Sequence, residues 1–196
     1  VMEFFEGGDL NKRLAGKALR SDDALKLFRE LMFALGDIHE KGILHRDLKP
    51  QNLMFRADGS LAICDFGIAK HIDSVDRTAH GEIIGTPRYM SPEQVQGRVL
   101  DLRTDIYSAG VLLFQMLTGS HMFEGDTAIG VAMHHLNTAP PSLPGYLEKY
   151  QRLMDKLVEK DRDARFRNAD EVIGFLSRKY YQGTGDFDAE ITSRLQ

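Results

Sequence analysis

The sequence predicts a mainly α-helical fold with a small strand content near its N-terminal end. Three observations carry that reading. Apolar residues recur at helical spacing over 21–42 and again over most of the chain beyond residue 101. Two matched four-residue arms, "LMFR" (53–56) and "LAIC" (61–64), bracket a turn holding Asp58-Gly59 and read as one hairpin. The stretch from 65 to about 100 has no sustained period and is rich in glycine, proline and hydroxyls, as long functional loops are.

Each element follows in order. Residues 1–5 read as the end of a buried strand, broken by Gly7-Gly8, as if the chain began inside that strand. A short helix is expected over 9–15. Ser21 is expected to cap a long helix carrying Leu25, Phe28, Met32, Leu35 and Ile38 or His39, closed by Gly42. Beyond the hairpin and the long loop, helices are expected over 102–118, 126–137, 146–160 and 168–180, the last with Asn168 and Glu171 as a capping pair. "APPSLPG" (139–145) links two of them, and 182–196 forms a weakly patterned tail.

Composition narrows the classes. At 196 residues the chain is large enough for one domain with a real core. The formal charge of −4 gives no electrostatic case for a nucleic-acid partner, which calls for a basic face. A lone cysteine, Cys64, excludes an internal disulfide framework and suits a reducing, cytoplasmic location. The longest apolar run, "AGVLLFQML" (109–117), is too short to span a bilayer, so no membrane partner is expected within this segment.

The hairpin has a chemical consequence. Residues flanking its open end are neighbours, so Asn52 before the first arm and Asp65 after the second converge, with Asp47 a few residues upstream on the same side. An amide oxygen and a carboxylate are hard ligands that suit Mg²⁺, which takes substrate phosphates as further ligands. Lys49 adds a positive charge beside them. A divalent ion, a cation on the phosphates and an acid to orient a hydroxyl are the parts that phosphoryl transfer requires.

"HRDLKPQN" (45–52), "DFG" (65–67) and "SPE" (91–93), in this order and spacing, resemble the signature set of eukaryotic-type (Hanks-type) protein kinases. "DLKP" resembles the serine/threonine branch, and "GTPRYMSPEQ" (85–94) resembles its bacterial members. The resemblance covers roughly residues 1–180. It implies the helical C-terminal lobe of a kinase, with small β-hairpins at the cleft and the N-lobe absent. Residues 1–8 would be a hinge remnant and 9–181 the lobe, with a catalytic loop at 45–52 and an activation segment at 65–93.

The resemblance also implies roles, with ATP and Mg²⁺ as cofactors and a protein as substrate. Asp47 would take or orient the acceptor hydroxyl proton, Lys49 would steady the transferred phosphate, and Asn52 and Asp65 would hold Mg²⁺. Met2 as gatekeeper, Glu3, Phe5, Asp9 and Met54 would bind the nucleotide. Thr86 would lie against the acceptor serine or threonine. His45 and Phe66 would pack beneath the site. Asp105 would accept hydrogen bonds from the 45–47 backbone, and Glu93 would pair with Arg165. Arg46 beside Asp47 implies regulation by phosphorylation in the following loop, at Thr78 first and Ser74 second.

Simpler readings stand beside these. Asp47 alone would be a turn residue, Lys49 a solvated lysine, and Asn52 and Asp65 strand-end hydrogen bonders. Cys64 reads as a small apolar strand residue. Adjacent His134 and His135 point in different directions on a helix, suit one ion poorly, and read as ordinary helix residues.

Within these 196 residues there is no Gly-rich phosphate loop, no strand lysine for the α- and β-phosphates and no helix glutamate to pair with it. The chain alone is therefore expected to be inactive and to need the missing N-lobe as its partner. An open apolar face around Met2, Phe5 and Met54 would favour self-association. Two alternatives are a non-catalytic protein-binding module and a small-molecule phosphotransferase.

Overall fold

The run "TDIYSAGVLLFQML" (104–117) carries one charged residue, Asp105, among mostly apolar ones, and a helix so poor in charge belongs in the middle of a helical domain. A computed structural model describes residues 5–65 and 87–180. In it this run lies in α4 (Leu102–Thr118), whose residues 104–117 are all buried. Asp101 opens α4 by accepting from the Arg103 amide at 2.9 Å. Gly119 closes it at φ 73°, a left-handed cap that returns its N–H to the Gln115 carbonyl at 2.8 Å.

Around α4 pack α2 (Ser21–Glu40) and α6 (Gln151–Leu157), and α7 (Ala169–Tyr180) covers α2 from the other side. A short α1 (Leu10–Leu14) lies against the 3-10 turn Pro50–Asn52 and the first strand. The remaining described α-helices are α3 (Pro92–Val95) and α5 (Ala128–Asn137). Close approach of α4 and α6 depends on Gly110, since a Cβ there would stand 2.7 Å from Leu157 Cβ and 2.8 Å from Val158 Cγ1. The described fold is thus mostly helical, with one small sheet.

That sheet is an antiparallel pair, β1 (Leu53–Phe55) and β2 (Leu61–Ile63), in the register Leu53↔Ile63. Its arms are three residues long rather than four, but pairing continues at both ends. Arg56 N–H donates to the Ser60 carbonyl at 3.0 Å, and Cys64 N–H to the Asn52 carbonyl at 2.9 Å. The N-terminal stretch joins the same ribbon through Gly7 N–H to Phe55 O (3.0 Å), Phe55 N–H to Gly8 O (2.9 Å) and a bridge between Asp9 and Met54.

Several boundaries differ from expectation for local reasons. Ser21 is the first helical residue of α2, not its cap; Arg20 occupies the cap position without a side-chain bond, and Asp22 and Asp23 favour the helix dipole instead. Thr127 caps α5 by accepting from Gly130 N–H at 3.0 Å, so that helix starts at Ala128. The expected helix over 146–160 is a 3-10 turn (Gly145–Tyr150) followed by α6, which stops at Leu157. Beyond its end, Arg165 takes the Glu159 carbonyl at 2.6 Å and the Lys160 carbonyl at 3.1 Å. Helix α3, inside the stretch read as loop, is four residues long and cannot show a period. Its signal is the capping box Ser91–Pro92–Glu93–Gln94, with both reciprocal bonds formed.

Candidate active site

The segment 45–52 lies between α2 and β1, and side chains hold its backbone at several points. Arg46 lies at φ 68°, left-handed backbone that costs a side-chain-bearing residue about 1–2 kcal/mol. Its peptide neighbours are fixed from two directions. The fully buried Asp105 of α4 accepts from His45 N–H and Arg46 N–H, both at 2.9 Å, and from His39 Nε2 at 2.8 Å. From α3, Gln94 Nε2 donates to the Arg46 carbonyl at 2.6 Å. Buried acceptors so fully used resist loss, because removal leaves N–H groups without partners.

His45 is fully buried and joins the two halves of the site. Its Nδ1 accepts from Asp47 N–H at 3.3 Å, so the ring proton sits on Nε2 and is donated to the Cys64 carbonyl at 2.9 Å. Asp47 presents its carboxylate half-exposed, with Lys49 Nζ at 2.6 Å. Buried Asn52 donates through Nδ2 to the Asp47 carbonyl at 2.8 Å and to Asp47 Oδ2 at 3.4 Å. Those bonds turn Asn52 Oδ1 away from Asp47. The Asn52 carbonyl meets Cys64 N–H, so Asp65 emerges at the ribbon's open end, exposed and at φ 55°. Asp47, Lys49, Asn52 and the start of Asp65 are therefore gathered on one edge of the ribbon.

A carboxyamide oxygen and a carboxylate from adjacent strands fit a hard, oxygen-loving ion such as Mg²⁺. Among the described residues no group of three or more His, Cys, Asp or Glu side chains could form a metal cage. A two-ligand set left to be completed by phosphate oxygens matches that chemistry.

Asp9 and Met54 are brought together by their bridge, with Phe5 nearby in chain order. Asp9 uses its carboxylate to cap α1, accepting from Lys12 N–H at 2.8 Å. Phe5 and Met54 are half-buried, and the exposed large apolar residues described are elsewhere: Ile43, Val99, Ile129, Met133 and Tyr146. The expected open apolar face around Phe5 and Met54 is therefore not seen at those two residues. Met2, Glu3, Phe66, Ser74, Thr78 and Thr86 lie outside the described residues.

Glu93 and Arg165 form a buried two-pronged pair at 2.8 and 2.9 Å, with Thr104 Oγ1 donating to Glu93 Oε1 at 2.9 Å. Arg165 places its remaining donors on the Glu159, Arg103 and Lys160 carbonyls, so all five of its N–H groups are used. Burial alone would push the Glu93 carboxyl up. The Arg165 guanidinium and the Thr104 hydroxyl outweigh it and hold the group below the usual carboxylate range.

Sequence reasoning passed over Gln94, His39 and His135. Gln94 was visible as the third helical residue of a capping box, where its Oε1 accepts from Ser91 N–H at 2.9 Å while its amide nitrogen reaches Arg46. His39 carried no signal beyond its helical position. His135 is no ordinary helix residue: it is fully buried, with both ring nitrogens bonded.

A family model described as protein kinase domain matches residues 1–174. The chain belongs to that family. Three bacterial kinases are among its relatives. The Corynebacterium efficiens serine/threonine-protein kinase drp72 is 39% identical over 179 residues, covering 90% of this chain and 34% of its own length. The Corynebacterium glutamicum kinase PknA is 38% identical over 174 residues, 88% of this chain and 37% of its own length. Myxococcus xanthus pkn3 is 42% identical over 150 residues, 72% of this chain and 27% of its own length. The kinase chain described here thus spans about a third of the curated relatives it matches. No helix among its described residues is long and apolar enough to cross a membrane.

Proposed function

We propose that the chain is the helical C-terminal lobe of a serine/threonine protein kinase, which in the complete enzyme transfers the γ-phosphate of ATP to a protein hydroxyl, and that the lobe alone is inactive. One observation carries the reading: a single half-exposed carboxylate, Asp47, with Lys49 Nζ at 2.6 Å and Asn52 Nδ2 at 3.4 Å, beside the strand end that leads into Asp65. When bound, Mg²⁺ and ATP supply the transferable phosphoryl group and neutralise its charge; Asn52 Oδ1 and Asp65 would hold the ion.

In this reading Asp47 receives the proton of the incoming serine or threonine hydroxyl. Lys49, now paired with Asp47, would supply positive charge to the transferred phosphoryl oxygens. Asn52 keeps Asp47 in place through its two donor bonds, and its oxygen is left to serve as an ion ligand. Phe5, Asp9 and Met54 border the nucleotide, and Thr86 borders the acceptor. The relatives' names, all of serine/threonine-protein kinases, support the acceptor class.

Inactivity follows from what the 196 residues do not contain: a Gly-rich loop and a strand lysine for the phosphates. Loss of one preorganised donor costs about 10²–10³ in rate, and several are missing together. A radiolabelled ATP assay on the chain alone, and on the chain joined to an upstream strand-rich small lobe, tests both statements. The expected result is no transfer by the chain alone, transfer with the small lobe, and a drop of about 10³-fold or more for Asp47→Asn. Robust transfer by the chain alone contradicts the lobe reading, and transfer untouched by Asp47→Asn contradicts the site.

A further inference from the structure

Arg88 and Tyr89 form the turn Pro87–Tyr89 that leads into α3, and side chains from two helices hold its carbonyls. Ser108 Oγ donates to the Tyr89 carbonyl at 2.7 Å, and the Tyr89 hydroxyl donates to Gln115 Oε1 at 2.7 Å, both from α4. From α5, His135 Nε2 meets the Arg88 carbonyl at 3.1 Å. The other ring nitrogen, Nδ1, meets the Tyr107 hydroxyl at 2.9 Å. Lys160 Nζ then reaches Tyr107 Oη at 3.3 Å and the His134 and His135 carbonyls at 3.3 and 2.8 Å. His135 and Tyr107 are both fully buried.

Donor and acceptor rules order every proton in this chain. A carbonyl only accepts, so His135 Nε2 carries a proton and donates it to Arg88. An ammonium only donates, so Tyr107 Oη accepts from Lys160 and turns its own proton toward Nδ1. The imidazole is therefore neutral, with its single proton on Nε2. Charge favours the same state: burial first, then the neighbouring Lys160, hold His135 down at about 4.

We propose that His135 is a positioning residue for the turn 87–90: its Nε2–H, fixed by the Lys160–Tyr107 hydrogen-bond chain, locks α5 to the segment that follows Thr86. The proposal rests on the kinase reading, in which that segment borders the protein acceptor. A residue that only filled space would be replaceable by anything of similar bulk. Here the direction of one N–H bond matters, and two amides separate the possibilities. In His135→Gln the amide nitrogen reaches the place of Nε2 and can still donate to Arg88. In His135→Asn the amide ends near the place of Nδ1 and cannot.

The first test uses the 196-residue chain. Nitrogen-15 NMR of labelled histidine should show His135 neutral and protonated on Nε2 at pH 6. The Met90 amide, which donates to Pro87 O at 3.2 Å and closes the turn, reports its stability by hydrogen exchange. Its exchange should rise about tenfold in His135→Asn and stay within about threefold in His135→Gln, with α4 amides unchanged in both. A charged or Nδ1-protonated ring, or equal exchange in the two variants, overturns the proposal. Should His135→Asn fail to fold, Tyr107→Phe removes only a hydroxyl and must shift the Nδ1 resonance; no shift overturns it equally.

The second test uses the chain joined to the small lobe, with dephosphorylated casein as acceptor. His135→Asn should raise the KM for casein about tenfold and leave the KM for ATP within about twofold, with His135→Gln recovering the former. An unmoved casein KM overturns the positioning role. No phosphate transfer by the wild-type protein overturns the kinase reading instead, and the NMR result still judges the bond.

Discussion

At the scale of the residue, charged side chains in the interior are used as fasteners rather than as surface decoration. Arg165 and Glu93 lie 72 positions apart and meet in a fully hydrogen-bonded pair. Breaking such a pair from one side costs about 3–5 kcal/mol, because a buried charge is left alone. Arg165→Met is expected to lose that much in urea unfolding at pH 7. The pH dependence has a definite sign. The folded-state carboxyl of Glu93 is held below its ordinary value, so the pair's contribution is complete above the ordinary carboxylate range and disappears as pH falls through the lowered value. In Arg165→Met the unpaired, buried carboxyl is raised instead, and acid relieves it. The gap between wild type and variant should narrow from pH 7 toward pH 4; a gap constant with pH contradicts this account of the pair.

Elements show which features the sequence carried openly and which it concealed. The hairpin was readable because a matched pair of arms about Asp58-Gly59 fixes its own register, and α4 because seventeen residues give a long run between Asp101 and Gly119. Helix α3 was hidden because four residues make barely one turn. The end of α6 was hidden because no glycine or proline marks it in the sequence. Of the candidate site, Asp47, Lys49 and Asn52 were legible because they are local in sequence. Gln94, His39 and His135 were not, since their roles depend on partners 48, 66 and 47 positions away. The α4–α6 crossing depends on one absent methyl group. Gly110→Ala forces a Cβ to within 2.7–2.8 Å of Leu157 and Val158. It should cost about 1–3 kcal/mol by overpacking, despite alanine's better helix propensity, when measured by thermal or urea unfolding. A stabilised variant contradicts so close an approach of the two helices.

On the scale of the whole molecule, the helices serve as a frame for one short edge of a two-stranded ribbon. Asp105 on α4 fixes the backbone before Asp47, Gln94 on α3 fixes it from the far side, and His45 links it to the strand that delivers Asp65. The frame holds Asp47, Asn52 and the start of Asp65 in place by itself, whereas transfer is proposed to require a small lobe as well. That separation of holding from transferring is directly measurable. Titrating the ¹⁵N-labelled chain with Mn²⁺ in the presence of ATP, and reading paramagnetic line broadening, locates the ion. The account predicts that the Asn52 side-chain amide and the Asp65 backbone amide broaden first, and that Asp65→Asn abolishes the effect. Broadening centred on other carboxylates, with the Asn52 signals left sharp, would contradict it.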